Sequence, residues 1–272
     1  MYGRVNKELI RQRFARRLRG YRRYAIIQGS MASRLAGMIC GDSDRPSFEK
    51  ILEIGSGSGA FTEALLARCQ ARYYAANDLV QQSSDLVRET ALRHGVRDFC
   101  FIGGDIERYP VLPDQLDLAV SNATVQWLSD MPLFFRKMSE VVKPGGLLAF
   151  STFGRRNMLE INSLEQHALN YYSLAELQDM AEPWFAVVQL REEVRKLDFR
   201  SPEEVLRHIS RTGVNGLVRD TWTKTRHRRF VERYRLSFSS GSGVHLTYHP
   251  LFCIFRRKGE QKQRLKGKSQ KM

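Results

Sequence analysis

The sequence has little cysteine. Its 272 residues include only four, at Cys40, Cys69, Cys100 and Cys253. They are widely spaced, with no CxxC pair and no histidine at metal-ligand spacing, so neither a disulfide framework nor a zinc site is predicted. We expect no metal at the functional site.

Long apolar runs are also missing. No stretch approaches the roughly 20 apolar residues that a membrane-spanning helix needs, so we expect no membrane partner. The opening segment MYGRVNKELIRQRF is basic but lacks the continuous apolar stretch and small-residue cleavage site of a secretory signal. The sequence therefore predicts a cytoplasmic protein.

Acidic residues are few relative to basic ones, and the formal net charge is +15. Residues 1–23, 219–235 and 256–272 together hold 24 basic and four acidic residues, while the rest of the chain is net acidic. Such basic segments suit a polyanionic partner, either a nucleic acid or a highly acidic carrier protein. The alternative is an ordinary solvated surface.

The order of apolar and amphipathic segments predicts a single α/β domain. Between residues 49 and 153, short apolar runs alternate with amphipathic segments, as in a parallel sheet with crossover helices. Two later runs, 184–193 and 244–257, are expected to finish the sheet. The predicted fold is a Rossmann-like, mostly parallel seven-stranded sheet with helices on both faces.

We divide the chain into five segments. Apolar residues recur at helical spacing between residues 5 and 39, and the last 14 residues have too few apolar side chains for packing. The predicted segments are an N-terminal helical cap at 1–45, the Rossmann-like core at 46–198, a helical lid or insert at 199–243, the last core strand at 244–258 and a disordered basic tail at 259–272.

The first predicted strand ends in ILEIGSGSG, an acidic residue followed by a glycine-rich loop. Gly55, Gly57 and Gly59 let the backbone approach a ligand closely. An acid before the glycines suits a cationic ligand, and Glu53 can accept a hydrogen bond from a methionine ammonium group. Taken alone, the glycine pattern is weak evidence for any one cofactor.

Polar residues also end the next three strands. Asp78, followed by Leu79, can bind two vicinal ribose hydroxyls. Asp105 can accept from an adenine amino group while Ile106 packs on the ring, and Asn122 faces the methyl-transfer channel. Each acid could instead cap a helix, and Asp78 would suit NAD equally well. Four suitable strand ends together favour S-adenosylmethionine and a class I methyltransferase.

Five segments outside this generic pattern point to a specific family: VNKELIRQRFARRLRGYRRYAIIQ, SNATVQWLSD, KPGGLLAFSTFG, HISRTGVNG and LTYHPLFCIFRRK. Through them the chain resembles, almost end to end, the malonyl-acyl carrier protein O-methyltransferases that start pimeloyl synthesis in the biotin pathway. The resemblance implies methylation of the free carboxylate of a malonyl thioester.

The resemblance also implies roles for the N-terminal helices, which would cover the cofactor. Phe14, Tyr21 and Gln28 would form its pocket, although plain apolar packing is an alternative for the two aromatic residues. Because a malonyl carboxylate is already ionised near neutral pH, no general base is expected. Tyr21, Asn122 and Trp127 are therefore predicted to position the reactants.

Arginines are the candidates for binding the substrate. A free carboxylate calls for a cation that pairs with it bidentately, and Arg155, Arg156 or Arg211 could reach the carboxyl edge of the sheet. Arg228 and Arg229, within the basic stretch 223–235, are predicted to dock an acidic acyl carrier protein. Position 22 is arginine where many relatives have an acid, and it receives no role.

Two alternatives stay open. Malonyl-coenzyme A could replace the carrier-bound substrate, and the basic composition would also suit an RNA or tRNA methyltransferase. Against RNA, the fourth strand continues as NATVQW rather than as the proline-aromatic motif of enzymes that methylate adenine amino groups. We expect no nucleic-acid partner, and we expect a monomer.

Overall fold

A seven-stranded sheet forms the centre of the molecule. With the side chains of Arg19 and Thr212 excepted, the computed structural model describes residues 6–41, 45–165, 169, 171–212 and 223–259. The strands of the main sheet are β1 (Ser47–Ile54), β2 (Gln70–Asp78), β3 (Asp98–Gly103), β4 (Leu116–Asn122), β5 (Val142–Phe153), β6 (Phe185–Glu192) and β10 (Pro250–Arg257).

The strand order is β3-β2-β1-β4-β5-β10-β6. All strands are parallel except β10, which pairs antiparallel with both β5 and β6. This is the predicted Rossmann-like arrangement, so the fold-class prediction is confirmed. The carboxyl ends of β1 to β5 meet at one edge, which is where such sheets bind ligands.

Helices cover both faces of the sheet because successive strand residues point to opposite sides. Ile51 of β1 packs into the cluster beneath α3 (Ile26–Cys40), α4 (Ala60–Leu66) and α5 (Ser83–Arg93), whereas Leu52 packs beneath α6 (Met131–Val141) and α8 (Leu174–Ala181). Both residues are fully buried. Because helices cover both faces, the side chains on both sides of the central strands are buried, and these strands therefore contain continuous apolar runs.

The N-terminal segment is helical, as predicted. It forms α1 (Lys7–Arg17), a short 3₁₀ turn, α2 (Tyr21–Tyr24) and α3. Asn6 caps α1, since its side chain accepts a hydrogen bond from the backbone N–H of Leu9 at 2.9 Å. α3 packs against α4 and β5, which places α1 and α2 over the carboxyl edge of the sheet.

A second sheet was not predicted. It has three antiparallel strands in the order β7-β9-β8: β7 (Arg195–Phe199), β8 (Ser239–Ser240) and β9 (Gly243–Tyr248). The prediction of one core strand over 244–258 is therefore wrong. Pro250 has no N–H to donate to a ladder, and proline is tolerated at the first residue of a strand, so the chain changes sheets there.

Three further helices lie around the two sheets: α7 (Leu159–Glu165), α9 (Pro202–Thr212) and α10 (Lys224–Phe238). α9 and α10 fall within the predicted insert and pack against each other and against the small sheet. Within the described residues, every helix is too short or too polar to span a bilayer. Beyond Gly259, the predicted basic tail lies outside the described residues.

Candidate active site

A cavity of about 300 Å³ lies at the carboxyl edge of the main sheet. Strand ends form its floor, and α1, α2 and the start of α3 form its cover. Eleven of the residues proposed from the sequence line it: Phe14, Tyr21, Gln28, Gly55, Gly57, Asp78, Leu79, Asp105, Ile106, Asn122 and Trp127. The separate predictions from four strand ends therefore converge on one space.

The glycine loop after β1 has a backbone that only glycine adopts easily. Gly55 has a φ of 75°, and a Cβ atom built on it would overlap the side chain of Thr124. Gly57 has a φ of 50°, but a Cβ there would meet open space. Gly55 is thus required for close packing, whereas Gly57 is required only for its conformation.

Asp78 is held by the backbone beside this loop. Its Oδ2 accepts from the N–H of Gly57 and its Oδ1 from the N–H of Val80, each at 2.7 Å. Burial raises the pKa of Asp78 to about 6, although both backbone hydrogen bonds oppose this shift. Each carboxylate oxygen can accept further hydrogen bonds, so the fixed side chain can still bind two neighbouring hydroxyls.

Glu53, two residues before Gly55, is not part of the cavity lining and is almost fully buried. Its Oε2 accepts from the hydroxyls of Thr62 and Tyr74, both at 2.6 Å. Its Oε1 has no hydrogen-bond partner among the described residues. Desolvation raises the pKa of Glu53 to about 7. A buried carboxylate with one unsatisfied oxygen fits a cationic ligand group.

Asp105 has a partner that sequence reasoning missed. The ammonium group of Lys7, in the first turn of α1, lies 2.6 and 2.7 Å from its two carboxylate oxygens. Lys7 also contacts Glu107, which accepts from the backbone N–H groups of Ser129 and Asp130. The side chains of Lys7 and Asp105 are 19% and 17% exposed. This ion pair ties the cover to the floor of the cavity.

Asn122 links the cover to the floor of the cavity by a second set of contacts, which are hydrogen bonds. Its Nδ2 donates to the backbone oxygen of Gln28 at 3.1 Å, and its Oδ1 accepts from the hydroxyl of Ser151 at 2.6 Å. Gln28 itself lines the cavity at the start of α3. The side chain of Asn122 therefore fixes α3 against the ends of β4 and β5.

Aromatic rings form one wall of the cavity. The ring of Phe14 lies 5.8 Å from that of Tyr21 and 6.3 Å from that of Trp127, centroid to centroid. These are distances at which tilted and edge-on aromatic pairs are favourable. Burial, with a smaller contribution from Asp78, raises the pKa of the Tyr21 hydroxyl. The hydroxyl stays protonated at neutral pH.

The predicted substrate arginines do not line the cavity. Arg155 is exposed and pairs with Glu176 at 2.5 Å. Arg211 stacks over the ring of Tyr24, 4.8 Å from its centroid, on the side of α2 that faces α9. Arg228 and Arg229 are exposed on α10. Of these four, Arg211 is the one that contacts the cover.

Gly59 also stays outside the cavity lining. It precedes α4 with a φ of 72°, and a Cβ there would lie 3.3 Å from Nη2 of Arg22. Arg22 itself lines the cavity and was given no role from the sequence. The one sequence feature that could have drawn attention to Arg22 is a basic residue at a position where the family resemblance implies an acid.

The comparisons with known proteins agree with this geometry. Residues 52–150 match the family model described as a methyltransferase domain. The chain is 53% identical over 253 residues to the malonyl-[acyl-carrier protein] O-methyltransferase of Prosthecochloris aestuarii, covering 93% of this chain and 94% of that protein. The protein of the same name from Chlorobium luteolum is 45% identical, covering 96% and 99%.

Solved structures give the same fold at low identity. The YcgJ protein of Bacillus subtilis aligns with a TM-score of 0.59 at 14% identity, covering 83% of this chain and 99% of that one. The N-methyltransferase NodS of Bradyrhizobium japonicum, solved with S-adenosyl-L-homocysteine, aligns with a TM-score of 0.53 at 14% identity, covering 92% and 99%. These likenesses support the fold alone.

Proposed function

Because the chain belongs to the family of malonyl-[acyl-carrier protein] O-methyltransferases, we propose that it methylates the free carboxylate of malonyl-acyl carrier protein. Membership confirms the resemblance found in the sequence, and the chain is an S-adenosylmethionine-dependent methyltransferase. The proposed substrate is supported by one observation: the sequence similarity to these relatives covers 93% of the chain, and so extends well beyond the methyltransferase domain at 52–150 into the cap and the insert. The proposed reaction is the first step of pimeloyl synthesis for biotin.

The residues of the cavity fit S-adenosylmethionine. The unsatisfied Oε1 of Glu53 can accept from the cofactor's ammonium group, and the fixed carboxylate of Asp78 can accept from the ribose hydroxyls. Asp105 and Ile106 would hold the adenine, with Leu79 beside the ribose. When bound, the cofactor supplies an electrophilic methyl group on a positively charged sulfur.

The protein's task is alignment rather than proton transfer. The malonyl carboxylate, with a reference pKa of about 4, is ionised before it binds, so no residue has to remove a proton. Phe14, Tyr21 and Trp127 exclude water beside the strand ends, where charge neutralisation is favoured by a dry environment. Asn122 contributes by holding the cover in place.

Arg211 is our proposal for the cation that meets the acceptor. Arg211 lies on α9 and stacks over the ring of Tyr24, a residue three positions after Tyr21 in the chain. This stacking leaves the edge of the guanidinium group able to bind a carboxylate. Arg155 stays a prediction that the geometry favours less, because Glu176 already neutralises it. The cytoplasmic location and the monomeric state also stay predictions.

The direct test is transfer of label from methyl-labelled S-adenosylmethionine. The purified protein is incubated with malonyl-acyl carrier protein, malonyl-coenzyme A, acetyl-acyl carrier protein or bulk tRNA. We expect a base-labile methyl ester on the malonyl substrates alone, because the acetyl group has no free carboxylate. Label in tRNA only would overturn the proposal and establish the RNA alternative, which no comparison supports.

The basic face of α10 is the proposed docking surface for the carrier protein. Phe230 and Tyr234 are buried on the inner side of this helix, while Arg228 and Arg229 are exposed on the outside. An acyl carrier protein is acidic, and exposed charges of opposite sign steer association.

Charge reversal tests this surface. In the double variant Arg228→Glu and Arg229→Glu, we expect KM for malonyl-acyl carrier protein to rise roughly 3- to 10-fold at low salt, with KM for malonyl-coenzyme A nearly unchanged. Arg72→Glu, an exposed residue at the opposite end of the sheet, serves as the matched control. Equal effects on the two substrates would eliminate this docking surface.

A further inference from the structure

Three basic side chains line the cavity, and they differ in how they are neutralised. Lys7 is bound by Asp105 and Glu107. Arg11 is bound by Glu8, with Nη2–Oε1 and Nε–Oε2 distances of 2.7 and 2.9 Å. Arg22 has no carboxylate within ion-pair distance among the described residues. One cavity cation thus keeps its charge available for a ligand.

The guanidinium of Arg22 is held on the glycine loop. Its Nε and Nη2 both donate to the backbone oxygen of Ser58, at 3.1 and 2.8 Å. A guanidinium has five N–H donors, so this bond to one oxygen leaves three donors without a described partner. The neighbouring Gly59 lies so close that a Cβ atom there would be 3.3 Å from Nη2. Arg22 is therefore oriented before any ligand binds.

A second observation indicates which part of a ligand lies here. Glu53 comes two residues before Gly55, so a buried carboxylate oxygen without a described partner and a guanidinium without a described carboxylate partner both adjoin the glycine loop. The amino-acid end of S-adenosylmethionine carries the complementary pair, an ammonium and a carboxylate. A carboxylate binds most favourably to a guanidinium, through charge-assisted and often bidentate hydrogen bonds.

We propose that Arg22 binds the α-carboxylate of S-adenosylmethionine, while Glu53 accepts from the adjacent ammonium group. The inference rests on the cofactor assignment and does not depend on the identity of the methyl acceptor. It assigns a cofactor-binding role to a position where the sequence departs from the acid expected in the family.

The test compares the binding of two ligands that differ only in the amino-acid end of the cofactor. S-adenosylhomocysteine carries the amino-acid carboxylate, whereas 5′-methylthioadenosine keeps the adenosine and sulfur but lacks the ammonium and carboxylate. Isothermal titration calorimetry is run with each ligand on the wild type, on Arg22→Gln and on Arg23→Gln. Arg23 is the matched control, since it is an exposed arginine that contacts the Tyr24 ring instead of the glycine loop.

We expect Arg22→Gln to weaken S-adenosylhomocysteine binding roughly 10- to 100-fold, as for a lost hydrogen bond to a charged group. Binding of 5′-methylthioadenosine should change less than about 2-fold, which also reports that the variant is folded. Arg23→Gln should leave both affinities unchanged, and Arg22→Lys should recover part of the lost affinity.

Two results would overturn the proposal. An equal loss for both ligands would mean that Arg22 acts only by supporting the loop through Ser58, and no loss for either would mean that it does not contact the ligand. If the wild type bound neither ligand, the cofactor assignment itself would fall and this proposal with it. The failures are therefore distinguishable.

Discussion

Replacing Glu53 with glutamine is expected to stabilise the cofactor-free protein while weakening cofactor binding. Burial raises the pKa of Glu53 from 4.5 to about 7, so its ionisation costs more in the folded protein than in the unfolded chain. At roughly 1.4 kcal/mol for each pKa unit, this cost is about 3 kcal/mol. Glutamine keeps the shape and carries no charge.

The pH dependence follows from the sign of this shift. Because the folded pKa lies above the unfolded value, the wild type loses stability as pH rises from about 4.5 to about 7 and does not regain it above that range. Glu53→Gln lacks this loss. The two proteins should melt together at about pH 4, below the unfolded pKa, and at pH 8 the variant should melt higher by roughly 5 to 10 °C.

Thermal unfolding without cofactor, from about pH 4 to about pH 8.5, measures the difference. S-adenosylhomocysteine titration of the same samples should show affinity roughly 10-fold or more weaker in the variant, since the ammonium loses its charged partner. Glu63→Gln is the control of opposite sign, because hydrogen bonding to His94 lowers the pKa of Glu63. A Glu53→Gln variant that melts at or below the wild type at pH 8 would refute the reasoning.

Three further changes test the cavity. Lys7→Met should weaken S-adenosylhomocysteine binding roughly 10-fold in calorimetry at low salt, because the cover loses its ion pair with the floor, while Lys50→Met on the far edge should have no effect. Gly55→Ala should lose about 2 to 4 kcal/mol in urea unfolding and Gly57→Ala only about 1, because only the first introduces a steric overlap; equal losses would contradict this. Tyr21 is predicted to position the reactants and its protonated hydroxyl lies at the cavity, so Tyr21→Phe should lower kcat roughly 10-fold with the S-adenosylhomocysteine Kd unchanged; an unchanged kcat would leave a role for the ring alone.

The sequence predicted those parts of the fold that depend on local patterns. Ile51 and Leu52 lie in a continuous apolar run, and their burial on opposite faces is what such a run implies in a covered sheet. The small sheet has no such signal. Arg195–Phe199 is short and mostly polar, and it pairs with Gly243–Tyr248, far along the chain. Nothing within either segment identifies the other.

The site shows the same limit. Asp78 and Asp105 follow strands in the same way, so the sequence treats them alike, and both do line the cavity. Their partners differ, because Asp78 accepts from the backbone N–H groups of Val80 and of Gly57, 21 residues away, while Asp105 is bound by the side chain of Lys7, 98 residues away. Arg155 lies next to a strand end as required, but Glu176 of α8 neutralises it. Long-range side-chain pairs decide these roles, and they leave no local pattern.

The break between the two sheets also has a consequence for how this enzyme can change. Glu192 and Leu251 are already paired neighbours in β6 and β10, and the N–H of Glu193 donates to the oxygen of Pro250 at 3.0 Å. Residues 194–249 therefore leave the main sheet and rejoin it at one point, as an insertion between the paired strands β6 and β10. The order of the main strands, which carry the residues proposed to bind the methyl donor, does not depend on the length of that insertion. Because α9 within it packs against α2 of the cover, a change in the insertion can alter the cover and the proposed acceptor side while the strand order stays the same.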